Sequence, residues 1–573
     1  MQAEIYKKIK LFWILLLFSG ALYAQPNTTN NSTPTPIDVK GYLRMGLSFY
    51  GSGIDSIERR SPLAWTFSGR PVFISGDWKV PLFFSFRNQT NSLSPPLQRF
   101  GIAPTYKWLK VTLGHSQPEF SRYILSGQTV WGVGVQINEE ESSFRFKALY
   151  GRLENLLAQR DTLIYGSEQL EVFDRRALAI KIGAGSRKTH VDFTFFKGRD
   201  DADSQSIDSA FQTQLRPADN TAVGLDTKVT FYEKDRDQLF FEGNIAASAF
   251  TRNQNSALTD AVDSTDQNVP GWINTVVDPN VSTRVNFAGD ASLAYQSDRF
   301  RLKLKYQRID PLYQSMGLYY LTDDYANYTA ALRLGLLDKK VWINGTFGIQ
   351  RNNLYDLRAF TNTRRIGSVY LNVLTGPSFG LNAHYANYQL NQEFSLQEVG
   401  QGLALSMVTN SFGFTPRYTF SNKKIQQMLS FTFNAQRFDD LLQNLGEPGK
   451  NTIRVAVLNY RRSIRKQRLS INGSLNWNAT DFRDTTTSRI GGTIGATQKL
   501  LKKTLVLKAR TSWNRHRYND ENDGSIFTFR IEAQYKLMKK HKLRFSLFRL
   551  RRDTEKIPPL SEWRGRLFVT FML

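Results

Sequence analysis

The sequence contains no cysteine and only five histidines among its 573 residues. Without cysteine the chain has no disulfide framework, no thiolate metal site, no cysteine nucleophile and no lipidated N-terminal cysteine. From residue 41 onward it also lacks any apolar run long enough for a membrane-spanning helix. These absences exclude disulfide-rich secreted domains and helical membrane proteins.

Acidic residues are in the minority, with 50 Asp and Glu against 75 Lys and Arg, which gives a formal charge of +25. Such a charge is compatible with a nucleic-acid binder, because a basic surface attracts phosphates whatever its fold. The N-terminus argues against that function. A lysine-rich start precedes the apolar run 11–18, and small residues ending at Ala24 follow it.

This N-terminal pattern predicts a secretory signal peptide over residues 1–24, since the apolar run is too short to span a bilayer. The Asn-, Thr- and Pro-rich tract that follows predicts a disordered periplasmic leader over residues 25–40. The mature protein is therefore expected outside the cytoplasm. No nucleic-acid partner is expected there.

Residues 41–573 show strict alternation of apolar and polar side chains in stretches of about ten residues. One of the clearest cases alternates four apolar residues with four polar ones: Phe300, Leu302, Leu304 and Tyr306 against Arg301, Lys303, Lys305 and Gln307. Period-two alternation indicates β-strands with one apolar face. The expected fold class is all-β.

A soluble β-sandwich also alternates, so the connections matter. Tight turns such as 76–77, 297–298 and 338–339 alternate with long polar loops, at 152–174, 199–220, 251–282 and 389–402. Short turns on one side and long loops on the other are typical of outer-membrane barrels. We therefore predict a single large antiparallel transmembrane β-barrel over residues 41–573, in the cell outer membrane.

Aromatic residues near predicted strand ends agree with this prediction, because amphipathic rings suit a membrane interface. They are Tyr50, Trp108, Tyr150, Trp342, Tyr388 and Trp513. The last residues, Leu567 to Leu573, alternate to an apolar terminus. This ending resembles the closing signal of outer-membrane barrels, which usually terminates in Phe.

The alternating segments number about 25, whereas a single-chain barrel with both ends in the periplasm needs an even number. The regular succession of alternating segments, short turns and long loops is interrupted between Asn88 and Gln128. Either residues 120–125 form a hidden strand, giving about 26 strands, or this stretch folds into the lumen and the count is about 24. In the second case Pro118, Tyr123, Leu125 and Gly127 belong to a constriction segment.

Together these features resemble a Gram-negative outer-membrane β-barrel of porin type. Residues 84–89, 100–108 and 124–134 are similar to barrel proteins with no assigned transport role. The resemblance implies the fold and the membrane but assigns no functional residue.

In such a barrel the inward positions determine function because they face water. The apolar register predicts inward acids at Asp192, Asp226, Glu242 and Glu532. It predicts a larger set of pore-lining basic residues: Arg44, Arg145, Lys147, Lys181, Lys228, Arg301, Lys303, Lys305, Arg333, Lys508, Arg510, Arg530 and Arg544. These cations favour anionic solutes, or they form salt bridges with inserted loops or merely solvate a wide lumen.

The sequence offers little for catalysis, so no enzyme activity, metal site or cofactor is expected. His190 and Asp192 share a predicted face, but no GxSxG nucleophile motif accompanies them. Loop 199–220 carries Asp200, Asp201, Asp203 and Asp208 without the glycine and terminal glutamate of an EF-hand.

Two functions stay open. The first is a porin-like channel for passive diffusion of small hydrophilic, preferentially anionic, solutes. The second is a structural or partner-binding barrel that serves a surface or secretion assembly. The expected partners are outer-membrane lipid and small hydrophilic solutes, and the long extracellular loops could hold a protein partner.

Overall fold

The computed structural model describes residues 37–53, 60–88, 98–137, 143–153, 173–204, 216–256, 279–394, 406–440, 450–537, 540–556 and 558–573. The predicted signal peptide 1–24 and residues 25–36 of the predicted leader lie outside these ranges. So do most residues of the four long loops predicted from sequence.

The described chain is almost entirely β-structure, with single 3-10 turns at Ala202–Ser204 and Leu501–Lys503. The strands in chain order are β1 (Asp38–Lys40), β2 (Tyr42–Ser52), β3 (Leu63–Gly69), β4 (Val72–Ser75), β5 (Trp78–Arg87), β6 (Gln98–Ile102), β7 (Thr105–Tyr106), β8 (Leu109–Ser116), β9 (Leu125–Ser126), β10 (Val130–Ile137), β11 (Phe144–Leu153), β12 (Asp174–Gly185), β13 (His190–Asp201), β14 (Asp219–Lys234), β15 (Asp237–Thr251), β16 (Thr283–Gln296), β17 (Phe300–Ile309), β18 (Gly317–Leu318), β19 (Tyr325–Leu336), β20 (Val341–Asn352), β21 (Phe360–Leu374), β22 (Phe379–Phe394), β23 (Ser406–Ser421), β24 (Ile425–Asp440), β25 (Lys450–Ile464), β26 (Leu469–Phe482), β27 (Thr485–Leu500), β28 (Leu505–Tyr518), β29 (Glu521–Leu537), β30 (His541–Thr554) and β31 (Leu560–Met572).

These strands form a closed antiparallel barrel of 26 strands, which confirms the predicted fold class. The ring closes where β2 pairs with β31, from Tyr42 opposite Met572 to Ser52 opposite Glu562. Closure leaves the sheet without a free edge, which is what a sheet in lipid requires. An even strand number also brings both chain ends to the same side of the barrel.

Three barrel strands consist of two pieces each, which explains part of the irregular rhythm in the sequence. β3 and β4 are separated at Pro71, and β6 and β7 at Pro104, because proline lacks the N–H that the ladder needs. β1 and β2 are separated at Gly41, whose φ of 120° suits only glycine. β1 pairs with β4, so Asp38–Lys40, predicted as leader, belongs to the barrel.

Residues directly opposite each other on neighbouring strands share one face of the sheet, so the pairing register sorts the two faces. Leu304 lies opposite Leu293 and Ala330, on a face whose large apolar residues are exposed. Lys305, one position on, lies opposite Ser292 and Thr329. The apolar face is the lipid-facing surface and the polar face lines the lumen.

The aromatic residues near strand ends do not all face lipid. Tyr150 and Trp513 are exposed on the outward face, and Trp108 is exposed in the turn between β7 and β8. Trp342 instead lies opposite Gly335 on the inner face, where the guanidinium of Arg333 stacks 4.3 Å from its ring centroid. No helix in the described ranges is long and apolar enough to cross a membrane.

Candidate functional site in the barrel lumen

The lumen of the barrel contains two inserted segments, residues 117–129 after β8 and residues 310–324 after β17. They are joined to each other by the short parallel pairing of β9 with β18. The Tyr313 hydroxyl donates to the Tyr123 carbonyl at 2.8 Å, and the Ser315 hydroxyl donates to the Ile124 carbonyl at 2.7 Å. Both segments begin and end at strand ends on the side of the barrel opposite the chain termini. This is the extracellular side of an outer-membrane barrel.

The inserted segments pack on an apolar part of the inner wall. Tyr123, Ile124 and Leu125 have no exposed surface, and Phe120 is also buried. The wall residues beneath them are small or apolar and come from neighbouring strands: Leu149, Leu153, Ala177, Ala179, Phe196, Ala222, Ala246, Ala288 and Ile309. Small side chains at inward positions create the depression that receives the segments.

Gly224 shows how closely the first segment approaches the wall. A Cβ atom at this position would lie 2.7 Å from Ile124 Cδ1 and 2.9 Å from the Ile245 carbonyl oxygen. Gly224→Leu is therefore expected to displace residues 117–129 from the wall, at a cost of about 1–3 kcal/mol of stability. Limited proteolysis of the folded barrel should then cleave within this segment in the variant.

Gly367→Leu is the matched control, because nothing lies within 4 Å of a Cβ built at Gly367. A Gly224→Leu barrel as protease-resistant in this segment as the Gly367→Leu barrel would contradict the close packing.

A charged band borders the apolar wall on its periplasmic side. One lateral row of directly opposed inward residues runs across neighbouring strands: Arg145, Gly183, Asp192, Asp226, Asn244, Asp290 and Gln307. The next row contains Lys228 opposite Glu242. The two rows therefore place four acids, Asp192, Asp226, Asp290 and Glu242, among the basic residues predicted to line the pore.

Asp192 is the centre of this band and has no exposed surface. Arg145 donates to both of its carboxylate oxygens, from Nε at 2.6 Å and Nη2 at 3.1 Å, and Lys181 Nζ lies 3.0 Å away. Gly183 leaves room for this contact, since a Cβ there would lie 2.1 Å from Asp192 Oδ1. Lys181 also contacts Asp226 at 3.2 Å, so one ammonium separates two directly opposed carboxylates.

Glu242 and Asp290 pair with three further lysines of the inner wall. Glu242 contacts Lys228 and Lys303, each at 3.1 Å, and Asp290 contacts Lys305 at 3.5 Å. Sequence reasoning predicted salt bridges with inserted loops as one alternative; these acids instead belong to the barrel wall.

The first inserted segment is tied to the band by hydrogen bonds. Ser121 donates to Asp226 at 3.0 Å, and the Tyr123 hydroxyl donates to Asp290 at 2.6 Å. Lys181 Nζ donates to the Phe120 carbonyl at 2.9 Å, and Arg122 contacts Asp290 at 3.3 Å. Burial, with the neighbouring Asp290 carboxylate, raises the pKa of the Tyr123 phenol, which keeps the hydroxyl protonated as a donor. A cavity of about 550 Å³ lies between the segment and the band.

The structure separates the predicted basic residues into three groups on the inner face. Arg145, Lys147, Lys181, Lys228, Lys303 and Lys305 line the cavity beside the band. Arg301 and Arg333 lie opposite each other near the periplasmic end, beside Trp342 and Asp298. Arg44, Lys508, Arg510, Arg530 and Arg544 lie on the strands around the closure of the barrel.

The predicted constriction residues all belong to the first inserted segment. Tyr123 and Leu125 are fully buried, Pro118 is half-buried, and Gly127 is exposed with a φ of 74°. The stretch 120–125 does not form a barrel strand, although the strand count of 26 agrees with that alternative.

Sequence reasoning missed Asp290 and the whole second inserted segment. The signal for Asp290 is its inward position in β16, two residues before Ser292 in the alternating pattern. The signal for the segments is a run of alanine and glycine at inward positions of successive strands, where a water-filled lumen would have polar residues. No sequence pattern identifies which loop fills that depression.

The weak candidates for catalysis and metal binding do not converge. His190 Nδ1 lies 3.0 Å from the Ser186 carbonyl, while Asp192 is occupied by Arg145 and Lys181. Asp200 accepts two hydrogen bonds from Arg175. Asp208 lies outside the described residues, and among the described ones no cluster of His, Asp and Glu could hold a metal ion.

No protein-family model and no curated protein matches the sequence. Solved outer-membrane structures are similar to it at low identity. OpdK of Pseudomonas aeruginosa with vanillate is 9% identical over 67% of this chain and 97% of its own, with a TM-score of 0.31. A doubly substituted OccD1 (OprD) is 11% identical over 96% and 99%, with a TM-score of 0.31. The P pilus usher (PapC) translocation pore is 10% identical over 94% and 100%, with a TM-score of 0.34.

These values are too low to support any functional inference. The assignment of the chain follows from its own architecture, namely a closed ring of 26 antiparallel strands with an apolar outer surface and a charged inner one. The protein is an outer-membrane β-barrel.

Proposed function

We propose that this barrel is a channel for passive diffusion of small hydrophilic solutes across the outer membrane, with a preference for anions. The observation that carries the proposal is the polar inner face, which continues around the ring far beyond the inserted segments. Examples from separate strands are Ser48, Asn344, Ser411, Asn472 and Ser512. A wall of hydroxyl and amide groups is suited to hydrated solutes and not to lipid.

The dimensions of the ring favour a passage. A circular ring of 26 strands has a backbone diameter of roughly 50 Å, from a strand spacing of about 4.8 Å and a tilt of about 40°. The described inserted segments pack on β10–β17. They occupy one side of such a ring.

The proposed anion preference has its support in the balance of inward charges. The lysines of the charged band are paired with Asp192, Asp226, Glu242 and Asp290. The excess of positive charge therefore comes from the arginines near the barrel closure, together with Arg301 and Arg333 near the periplasmic end. A net positive wall raises the local concentration of anions.

The ring width also favours the alternative function. A fully open passage through a ring of this backbone diameter would select solutes poorly. A partner segment that fills the lumen would make the barrel a subunit of a surface or secretion assembly.

Planar-bilayer recording of the purified full chain tests the channel. We expect discrete current steps and a reversal potential, in a KCl gradient, that shows greater permeability to chloride than to potassium. The chloride preference should weaken in molar salt, where the Debye length falls to about 3 Å. A barrel that inserts without current steps would contradict the channel and favour the partner-binding function.

A further inference from the structure

A second charged surface lies on the inner face of β28–β31 and β2, which we name the arginine wall. It consists of Arg44, Lys508, Arg510, Arg530, Arg544, Arg564 and Arg566. The register places these residues on one face. Arg510 lies opposite Arg530, Arg530 and Arg564 both lie opposite Phe548, and Arg544 lies opposite Phe568.

The arginine wall differs from the charged band in having few acids. On this face of the described strands β28–β31, Glu532 contacts Lys508 at 3.4 Å and Arg530 at 3.9 Å. The buried Glu562 is paired with Arg564 and accepts a hydrogen bond from the Tyr50 hydroxyl.

Four arginines of the wall have no ion pair with any residue in the described ranges. They are Arg44, Arg510, Arg544 and Arg566, and all four are exposed to the lumen. Their guanidinium charges are therefore available to a solute.

The arrangement of Arg510 and Arg530, which lie directly opposite each other, favours an anionic ligand. Like charges placed directly opposite each other destabilise a sheet. Lys181 relieves the opposed Asp192 and Asp226 in the charged band by contacting both carboxylates. For Arg510 and Arg530 the described residues supply only the distant contact of Arg530 with Glu532. An anion between the two guanidinium groups would remove the repulsion.

Phe548 contacts the guanidinium groups of Arg530 and Arg564 and helps to orient them. The guanidinium carbons of Arg530 and Arg564 lie 5.2 Å and 5.6 Å from its ring centroid. Cation–π contact holds a guanidinium group by its face and leaves its N–H edge free to donate. Those edges match the planar oxygen pairs of phosphate and carboxylate groups, which they bind with two parallel hydrogen bonds.

The spacing of the wall favours solutes that carry more than one such group. Cations two strands apart, such as Arg530 and Arg564, are separated by roughly 10 Å at the backbone. Cations two residues apart on one strand, such as Arg564 and Arg566, are separated by roughly 7 Å. One solute with two or three oxyanion groups can therefore contact several arginines at once.

We propose that the arginine wall binds multivalent oxyanions, with phosphate or carboxylate groups, and selects them for passage. This proposal rests on the channel function, but the binding step itself can be measured without any current. The charged band is not expected to contribute to oxyanion binding, because Lys228, Lys303 and Lys305 are already paired with Glu242 and Asp290.

Isothermal titration calorimetry of the detergent-solubilised full chain tests the binding step, with pyrophosphate as one probe and citrate as the other. We expect both to bind the unaltered protein. R510Q/R544Q/R566Q should weaken binding by about tenfold or more, since it removes three charge-assisted donors. R510K/R544K/R566K keeps the charge but loses the planar fork, so intermediate binding is expected.

The matched control is K423Q/K424Q/K466Q, which removes three exposed lysines from turns at the barrel end and changes the net charge equally. Its affinity for both probes should equal that of the unaltered protein. Heat-modifiable migration on gels checks that each barrel is folded. If the triple glutamine variant does not fold, R510Q and R544Q are measured singly, and each should weaken binding severalfold.

Two results would overturn the proposal. One is an unaltered protein that binds neither pyrophosphate nor citrate, and the other is equal binding by the arginine variants and the lysine control. Binding that depends on the arginines in a protein without current steps would support the arginine wall and reject the channel. Current steps in a protein that does not bind oxyanions would support the channel and reject binding at the arginine wall.

Discussion

Asp192→Asn is expected to lower the free energy of unfolding of the barrel by about 3–5 kcal/mol. Asp192 has no exposed surface and lies between the guanidinium of Arg145 and the ammonium of Lys181. The neutral amide cannot balance two cations, and its NH2 group points a donor at other donors. Breaking a buried ion pair on one side leaves an uncompensated buried charge, which costs more than the pair itself contributes.

Asp298→Asn is the matched control, because Asp298 also contacts two cations, Arg236 and Lys339, but in an exposed turn. Solvent screening makes such surface pairs weak, so this substitution should change stability little. Guanidinium unfolding in detergent, followed by tryptophan fluorescence, measures both variants. Equal effects of the two substitutions would show that Asp192 is reached by water in the folded barrel.

The fold could be predicted from the sequence because alternation is a direct consequence of strand geometry. Each inward or outward position repeats every two residues, so Phe300 to Gln307 indicates both a strand and its two faces. The residue at which the first barrel strand begins could not be predicted in the same way. Asp38–Lys40 has a polar composition typical of a leader, and only its pairing with β4 makes it a strand.

The charged band shows where prediction from sequence ends. The inward register of Lys303 follows from alternation within its own strand. Its partner Glu242 lies 61 positions earlier, on β15, and the contact depends on the side chains crossing the intervening strand β16. A register can therefore predict which residues face the lumen, but not which charges cancel one another.

The inserted segments could not be predicted for a related reason. Residues 117–129 show no clean periodicity, since their backbone follows the wall and makes few ladder hydrogen bonds. Tyr123 and Ile124 are buried by residues from β14 to β17 and from the second segment. The only local sign is the set of small inward residues, such as Ala222 and Gly224, that makes room for them.

Phe347→Arg is expected to destabilise the barrel by about 2–4 kcal/mol, because it places a charge on the lipid-facing surface near the middle of the membrane. Phe347 lies at the centre of β20 and is 55% exposed. It faces outward opposite Ala330 and Gly367. The guanidinium group would have to leave water for hydrocarbon or draw water and headgroups toward itself, and both responses cost free energy.

Thr346→Arg provides the control one residue away. Thr346 lies opposite Ala331 and Ser368 on the lumen face and is exposed there, so an arginine at this position remains in water. Unfolding of both variants in the same lipid vesicles should give a large loss of stability for Phe347→Arg and almost none for Thr346→Arg. If Thr346→Arg were the more costly substitution, the assignment of the two faces of β20 would be reversed, and with it the lumen position of every residue whose register is linked to that strand.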